Sequence, residues 1–134
     1  MATTEPVQFV VITPERKVLE QAAEAVVFTA HDGEMGVLTG RSPLMCELGI
    51  GELRYRAGGQ TRKLYIEQGF AQVLDNHVTV LTQRAVAAES IDSEMLAAAQ
   101  RGVDELTGSD PETLEARLQA QRRLRVLQSL HDNH

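Results

Sequence analysis

The chain has 134 residues, a formal charge of −6 and 43% apolar residues, with one cysteine, no tryptophan, two tyrosines and three phenylalanines. That length holds one domain, or a small domain with an appendage, and its core has to be built from Val, Leu, Ile and Ala. The acidic balance argues against generic binding to nucleic acid or to an anionic membrane, since both need a net basic face. Cys46 cannot form an intrachain disulfide, suits a reducing compartment, and reads as a small buried apolar residue rather than a reactive thiol. The opening Met1-Ala2-Thr3-Thr4-Glu5-Pro6 has neither the basic region nor the apolar run of a signal peptide. No window approaches the roughly 20 apolar residues that span a bilayer.

The first 86 residues read as β. Val7 to Ile12 alternates, with Val7, Phe9 and Val11 on one face, and Thr13-Pro14-Glu15-Arg16 is a turn. Lys17 to Glu20 and Ala23 to Ala30 are extended. Asp32-Gly33, Gly36, Gly40 and Pro43 then punctuate the chain so densely that the backbone is expected to reverse twice. Glu52 to Ala57 alternates strictly and meets Gly58-Gly59, the kind of pair a tight hairpin demands. Arg62 to Gln68 is the return strand, Gly69 separates it from Phe70 to Leu74, and Asp75-Asn76 turns into His77 to Thr82. Short strands at this spacing predict an antiparallel sandwich.

From Ala85 onward the chain holds one proline, two glycines and no aromatic residue, and strong helix formers dominate. Ser90 or Asp92 is placed to cap a first helix, with Ile91, Met95, Ala99, Val103 and Leu106 on one stripe and Leu96 beside it. Gly108 is read as its terminator, and Ser109-Asp110-Pro111-Glu112 as the start of a second helix after a short link, which forces an antiparallel hairpin. In that second helix Leu114 and Leu118 share one side, while Ala116, Ala120, Leu127 and Leu130 lie nearly opposite, with Leu124 on a flank. A helix apolar on two sides packs against two things or changes partner. Arg122, Arg123 and Arg125 form a basic cluster in an otherwise acidic tail, either a solvated face or a docking patch. The fold class is therefore α+β, an N-terminal antiparallel β-sandwich at 1–87 followed by a helical hairpin at 88–134.

No constellation for catalysis is found. His31, His77, His131 and His134 lack the spacing of a zinc site, there is no H-E-x-x-H, and no serine stands in a G-x-S-x-G setting. His31-Asp32 and Asp75-Asn76-His77 read as solvated turns, and His131 and His134 as a tail that frays. Gly49-Ile50-Gly51 lacks the rest of a dinucleotide loop, no P-loop exists, and Glu34 has no partner carboxylate nearby in sequence for paired acid/base work. The chain is read as no enzyme of its own, with no cofactor and no metal.

The run Gly33-Glu34-Met35-Gly36-Val37, then Gly40-Arg41, then Pro43-Leu44 resembles the signature loop of the epsilon subunit of F-type ATP synthases, with Arg41 where histidine is commoner. The resemblance extends over the opening Val7 to Arg16, the Tyr65 to Val73 stretch, the His77 to Leu81 strand and the helical tail. It implies a sandwich of about ten strands and an antiparallel helix pair. It also implies a place in the central stalk of the rotor, on the cytoplasmic side of the inner membrane, with the sandwich bound to subunit gamma and touching the c-subunit ring. Proton flow turns that ring, and the stalk drives synthesis in the alpha/beta head. In that family the helices fold down on the sandwich or extend along gamma toward beta, where they block hydrolysis. Glu34 matches the part facing the c ring, Thr13 and Arg41 match positions beside gamma or the ring, and Arg122, Arg123 and Arg125 match basic residues that meet an acidic segment of beta. Some members bind ATP through [IL]-D-x-x-R-A. Here Ile91-Asp92 is followed by Met95 and Leu96 in place of the arginine and alanine, so Asp92 is read first as a helix cap and nucleotide sensing is not expected. Two other readings stand beside this one: a free-standing sandwich that binds a small ligand under a helical lid, and a divergent member that is sodium-coupled or lacks inhibition.

Overall fold

The computed structural model describes residues 5–30 and 33–133. The N-terminal tetrapeptide, and His31, Asp32 and His134, read above as a turn and a tail, lie outside the described residues. Seven strands precede two helices: β1 Val7–Ile12, β2 Lys17–Ala23, β3 Ala25–Ala30, β4 Gly33–Val37, β5 Leu44–Ala57, β6 Gln60–Leu74 and β7 His77–Ala87, then α1 Ser93–Asp104 and α2 Pro111–Asn133. They form one sheet in the order β2-β1-β7-β6-β5-β3-β4, so β2 and β4 are its edges. The pairs are antiparallel except β1 with β7, which run parallel.

The sheet curls into two layers. Phe9 of β1 and Tyr55 of β5 are three strands apart in the order, a separation of roughly 14 Å in a flat sheet, yet their ring centroids lie 5.3 Å apart. Between the layers sit Val7, Phe9, Val11, Val26, Phe28, Leu53, Ile66, Val73, Val78 and Val80, all close to fully buried. The bend is built into three long strands, β5, β6 and β7, of 14, 15 and 11 residues. In β6 the core takes Leu64 and Ile66 before Gln68-Gly69, then Ala71 and Val73 after it. The even-numbered face has become the odd-numbered one, as one extra residue in a β-bulge requires. β5 changes face between Leu48 and Leu53, and β7 between Val80 and Ala85. These changes are aligned, because Leu48 pairs with Gly69 and Gly69 with Thr82.

This alignment explains the difference in strand number. Gly69, read from the sequence as a separator, is a bend within a continuous strand. Each long strand taken as two would make up the expected ten. The residues 44–51, not assigned to a strand from the sequence, are the first half of β5. Both hairpin turns form where read: Gly58 and Gly59 have φ of 60° and 76°, Asp75 and Asn76 of 50° and 60°, the pair of positive angles a two-residue turn with the strand twist needs.

Helix α1 starts where Asp92 accepts a hydrogen bond from the Met95 amide at 2.9 Å. It ends at Asp104, four residues before the glycine read as its terminator. Gly108 instead supplies a positive φ within the link. Asp110 accepts from the Thr113 amide at 3.1 Å to open α2, with Pro111 in the first turn. Arg117 fastens the link, its Nε donating to the Leu106 carbonyl at 2.7 Å. The hairpin lies on the outside of the sandwich, where Leu127 and Leu130 of α2 join Ile50, Tyr65, Ala88, Ile91 and Ala99 in a second, smaller apolar cluster. His131, expected to fray, meets the Ile91 carbonyl at 3.0 Å. The other apolar edge of α2 is open: Leu114 is 44% and Leu118 66% exposed.

Gly69 has φ of 127°, and a Cβ there would lie 1.9 Å from the Leu81 carbonyl oxygen. Gly69→Ala is therefore expected to cost more than about 2 kcal/mol, read as a lower urea midpoint, whereas Gly49→Ala, with open space at its Cβ, should cost far less.

Candidate partner-binding surfaces

Three surfaces follow from the alternation of the long strands. On the side away from the helices, Phe70 of β6 stands opposite Leu81 of β7, which stands opposite Ile12 of β1. Phe70 and Leu81 are each 50% exposed, and Met45 and Leu74 extend the patch. Sequence reasoning missed it. The signal was present in β6, where Phe70 and Leu74 alternate with Ala71 and Val73, so that both faces of the strand carry apolar side chains. An exposed apolar patch of this kind is a candidate contact surface.

The second surface is the 38–43 loop between β4 and β5. The Gly40 amide donates to Asn76 Oδ1 at 2.8 Å, which ties the loop to the β6–β7 turn. Leu38 is 62% exposed, and Arg41 reaches back to the sulfur of Met35 at 3.2 Å. Glu34 is one residue from Met35 in β4 and so points to the opposite face. There Arg54 donates to its two carboxylate oxygens at 2.9 and 3.3 Å. The hydrogen bond and charge of Arg54 hold the Glu34 carboxyl below its ordinary value. Glu34 and Arg41, seven residues apart in the glycine-rich stretch, thus reach to different faces. Glu34 shares its face with Glu52, Arg122 and Arg125 in a groove beside α2. Thr13 is almost buried, and its hydroxyl donates to the Arg16 carbonyl at 3.2 Å, closing the β1–β2 turn.

The third surface is the joint between sandwich and hairpin. Its sandwich side is a row formed by Ile50, Glu67 and Arg84 next to a row formed by Glu52, Tyr65 and Val86. Arg123 of α2 donates from Nε to Glu67 Oε1 at 2.8 Å, while Arg84 lies 3.5 Å from the other oxygen and 5.8 Å above the Tyr65 ring. Arg122 and Arg125 are exposed; Arg123 is half-buried, so the basic cluster is divided. Tyr65 is fully buried, and its hydroxyl lies near the Arg123 guanidinium without a hydrogen bond of ordinary geometry. Burial, reinforced by the Glu67 charge, pushes its phenol well above the ordinary tyrosine value. A cleft of about 860 Å³ opens beside this joint, lined by Asp92, Met95, Arg101 and Arg123 among others. Asp92 contributes a carboxylate already engaged as a cap. Cys46 is half-buried against the core, and burial raises its thiol. Among the described residues no group of three metal-ligating side chains gathers.

Comparison with known proteins decides the family. The model of the ATP synthase Delta/Epsilon chain beta-sandwich domain matches residues 6–88. The chain belongs to the ATP synthase epsilon-chain family. The ATP synthase epsilon chain of a Synechococcus strain is 40% identical over 125 residues, covering 89% of both chains. That of Rhodopirellula baltica is 35% identical over 119 residues, covering 89% of this chain and 93% of the relative. A chain in the Euglena gracilis mitochondrial ATP synthase OSCP/F1/c-ring structure is 26% identical, with a TM-score of 0.75 over 98% of this chain and 83% of that one. A Tetrahymena thermophila central stalk/c-ring chain, 11% identical with a TM-score of 0.73, shows the shared fold. The bacterial relatives make this a bacterial-type epsilon chain, a non-catalytic subunit of ATP synthase.

Two measurements check the joint. In an alkaline absorbance titration Tyr65 is expected to stay un-ionised beyond about pH 10, where a free tyrosine titrates, with Tyr65→Phe assigning the delayed step. The neutral phenol is favoured by folding. Its contribution is therefore full below the unfolded value and is lost as pH rises toward the folded one. In calorimetry ATP is expected to bind weakly or not at all, and Met95→Arg to raise the affinity.

Proposed function

We propose that this chain is the central-stalk epsilon subunit of a bacterial F-type ATP synthase, coupling proton-driven rotation of the c ring to synthesis in the alpha/beta head and restraining ATP hydrolysis through its helical hairpin. It acts on the cytoplasmic side of the inner membrane, held there by the complex. The sandwich, residues 1–87, docks on gamma and the c ring. The Phe70–Leu81–Ile12 patch suits gamma, which can bury it, and the 38–43 loop with Leu38 and Arg41 suits the ring. Thr13 acts by shaping the β1–β2 turn, and Glu34 through its pairing with Arg54. The hairpin, residues 88–134, is the regulatory part and reaches beta through Arg122, Arg123 and Arg125.

One observation carries the regulatory half of this reading. Helix α2 packs on the sandwich with only one side and leaves Leu114, Leu118, Arg122 and Arg125 exposed on the rest of its surface. An acidic partner with an apolar seat complements that surface. A ligand-binding module with a helical lid has less support, because the polar groups at the cleft are already engaged, Asp92 as a helix cap and Arg123 with Glu67.

The test is made in the assembled complex. The chain is expected to co-purify with gamma and beta. Replacing Arg122, Arg123 and Arg125 together with alanine should raise ATP hydrolysis several-fold while the sandwich stays on gamma, since exposed pairs contribute about 0.2–1 kcal/mol each. Hydrolysis unchanged in the triple variant at low and at high salt would exclude the docking role of these arginines.

A further inference from the structure

Resting on that reading, we infer that Glu67 is an internal competitor with beta for Arg123, so that one carboxylate on the sandwich sets how readily the hairpin is released. The observation is an arrangement of charge rather than a single ion pair. Glu67 projects from β6 beneath α2 with its side chain only 15% exposed, and it is shared by two guanidinium groups from different elements. Arg84 belongs to the sandwich and stays with Glu67 whatever the hairpin does. Arg123 belongs to α2 and can be there only when the hairpin is down.

Glu67 therefore does two things. It attracts Arg123, through a hydrogen bond of the charge-assisted kind. It also neutralises Arg84, which would otherwise hold a second positive charge against the seat of Arg123. Without the carboxylate, the down position places two like charges beside a buried tyrosine ring. Arg122 and Arg125 have no such engagement with Glu67, so the three arginines separate into one that is bound in the down state and two that are exposed. An arginine held by Glu67 cannot at the same time meet an acidic surface on beta. The two contacts are mutually exclusive uses of one side chain, and a ligand or partner shifts such a two-state element only by its preference for one state.

The prediction is an opposition of signs. Glu67→Gln should open the hairpin and strengthen inhibition, because Arg123 is released intact. Arg123→Gln should also open the hairpin but weaken inhibition, because the group that docks is gone. In the full chain with Cys46→Ala, spin labels at Gln60 and Gln128 report the distance between sandwich and α2. Glu67→Gln should raise the extended fraction about three- to tenfold, and Glu67→Gln with Arg84→Gln should return part of it by removing the repulsion. The same proteins are then added to the complex and hydrolysis is measured. Glu67→Gln that leaves the distance distribution of the parent unchanged, or that opens the hairpin without strengthening inhibition, overturns the competition. A complex that hydrolyses ATP equally with and without the parent chain removes the braking reading itself. In that case the distances alone decide whether Glu67 holds the hairpin down.

Discussion

The close approach of Gly69 to the Leu81 carbonyl is the constraint on which the rest of the molecule depends. A β-strand shows alternate side chains to opposite faces, so a strand that must serve two layers has to lose or gain one residue at the corner. β6 does so at Gln68-Gly69, with φ of 54° and 127°, and β5 and β7 change face at the same level. Below the corner β6 gives Leu64 and Ile66 to the core and Tyr65 and Glu67 to the helices. Above it, Ala71 and Val73 fill the core and Phe70 and Leu74 face outward. The joint with the hairpin and the apolar patch are therefore the two outer faces of one bent ribbon.

The two apolar clusters differ in kind. The buried members of the sandwich core are aliphatic and aromatic and come from all seven strands. The cluster under the hairpin is smaller and is bordered by Glu67, Arg84 and Arg123. It also contains the buried hydroxyl of Tyr65, which makes no well-formed hydrogen bond. Burying a hydroxyl without a hydrogen bond costs free energy that a phenylalanine would not. Ion pairs at a partly wet border contribute little compared with apolar burial. A contact built this way holds the helices to the sandwich less firmly than a wholly apolar seam would.

Much of this was legible in the sequence because local chemistry fixed it. Gly58-Gly59 and Asp75-Asn76 can turn a hairpin whatever surrounds them, and Asp92 and Asp110-Pro111 announce helix starts by their own hydrogen-bonding capacity. The family was legible for the same reason, since the glycine loop encodes backbone angles. What could not be read depends on distant partners. The continuity of β6 through Gly69 is set by β5 and β7 on either side. The end of α1 at Asp104 rather than Gly108 is set by how its last turn tightens, with the Leu106 amide on the Val103 carbonyl. Glu67 was passed over in the sequence as one acid in an alternating strand. Its meaning comes from Arg123, 56 positions away, and no spacing rule links residues that far apart.

The sheet does not close on itself, and that leaves two free edges. β4 is only five residues long and contains two glycines, and β2 carries Lys17 and Glu20 side by side in an ion pair at 3.1 Å. A short, glycine-broken edge and a charged one are poor templates for another strand. The sandwich shows an apolar patch, so edges that resist strand pairing limit its contact with copies of itself. With the edges blunted, association favours the fit of side chains to a partner over backbone pairing that any extended chain could supply.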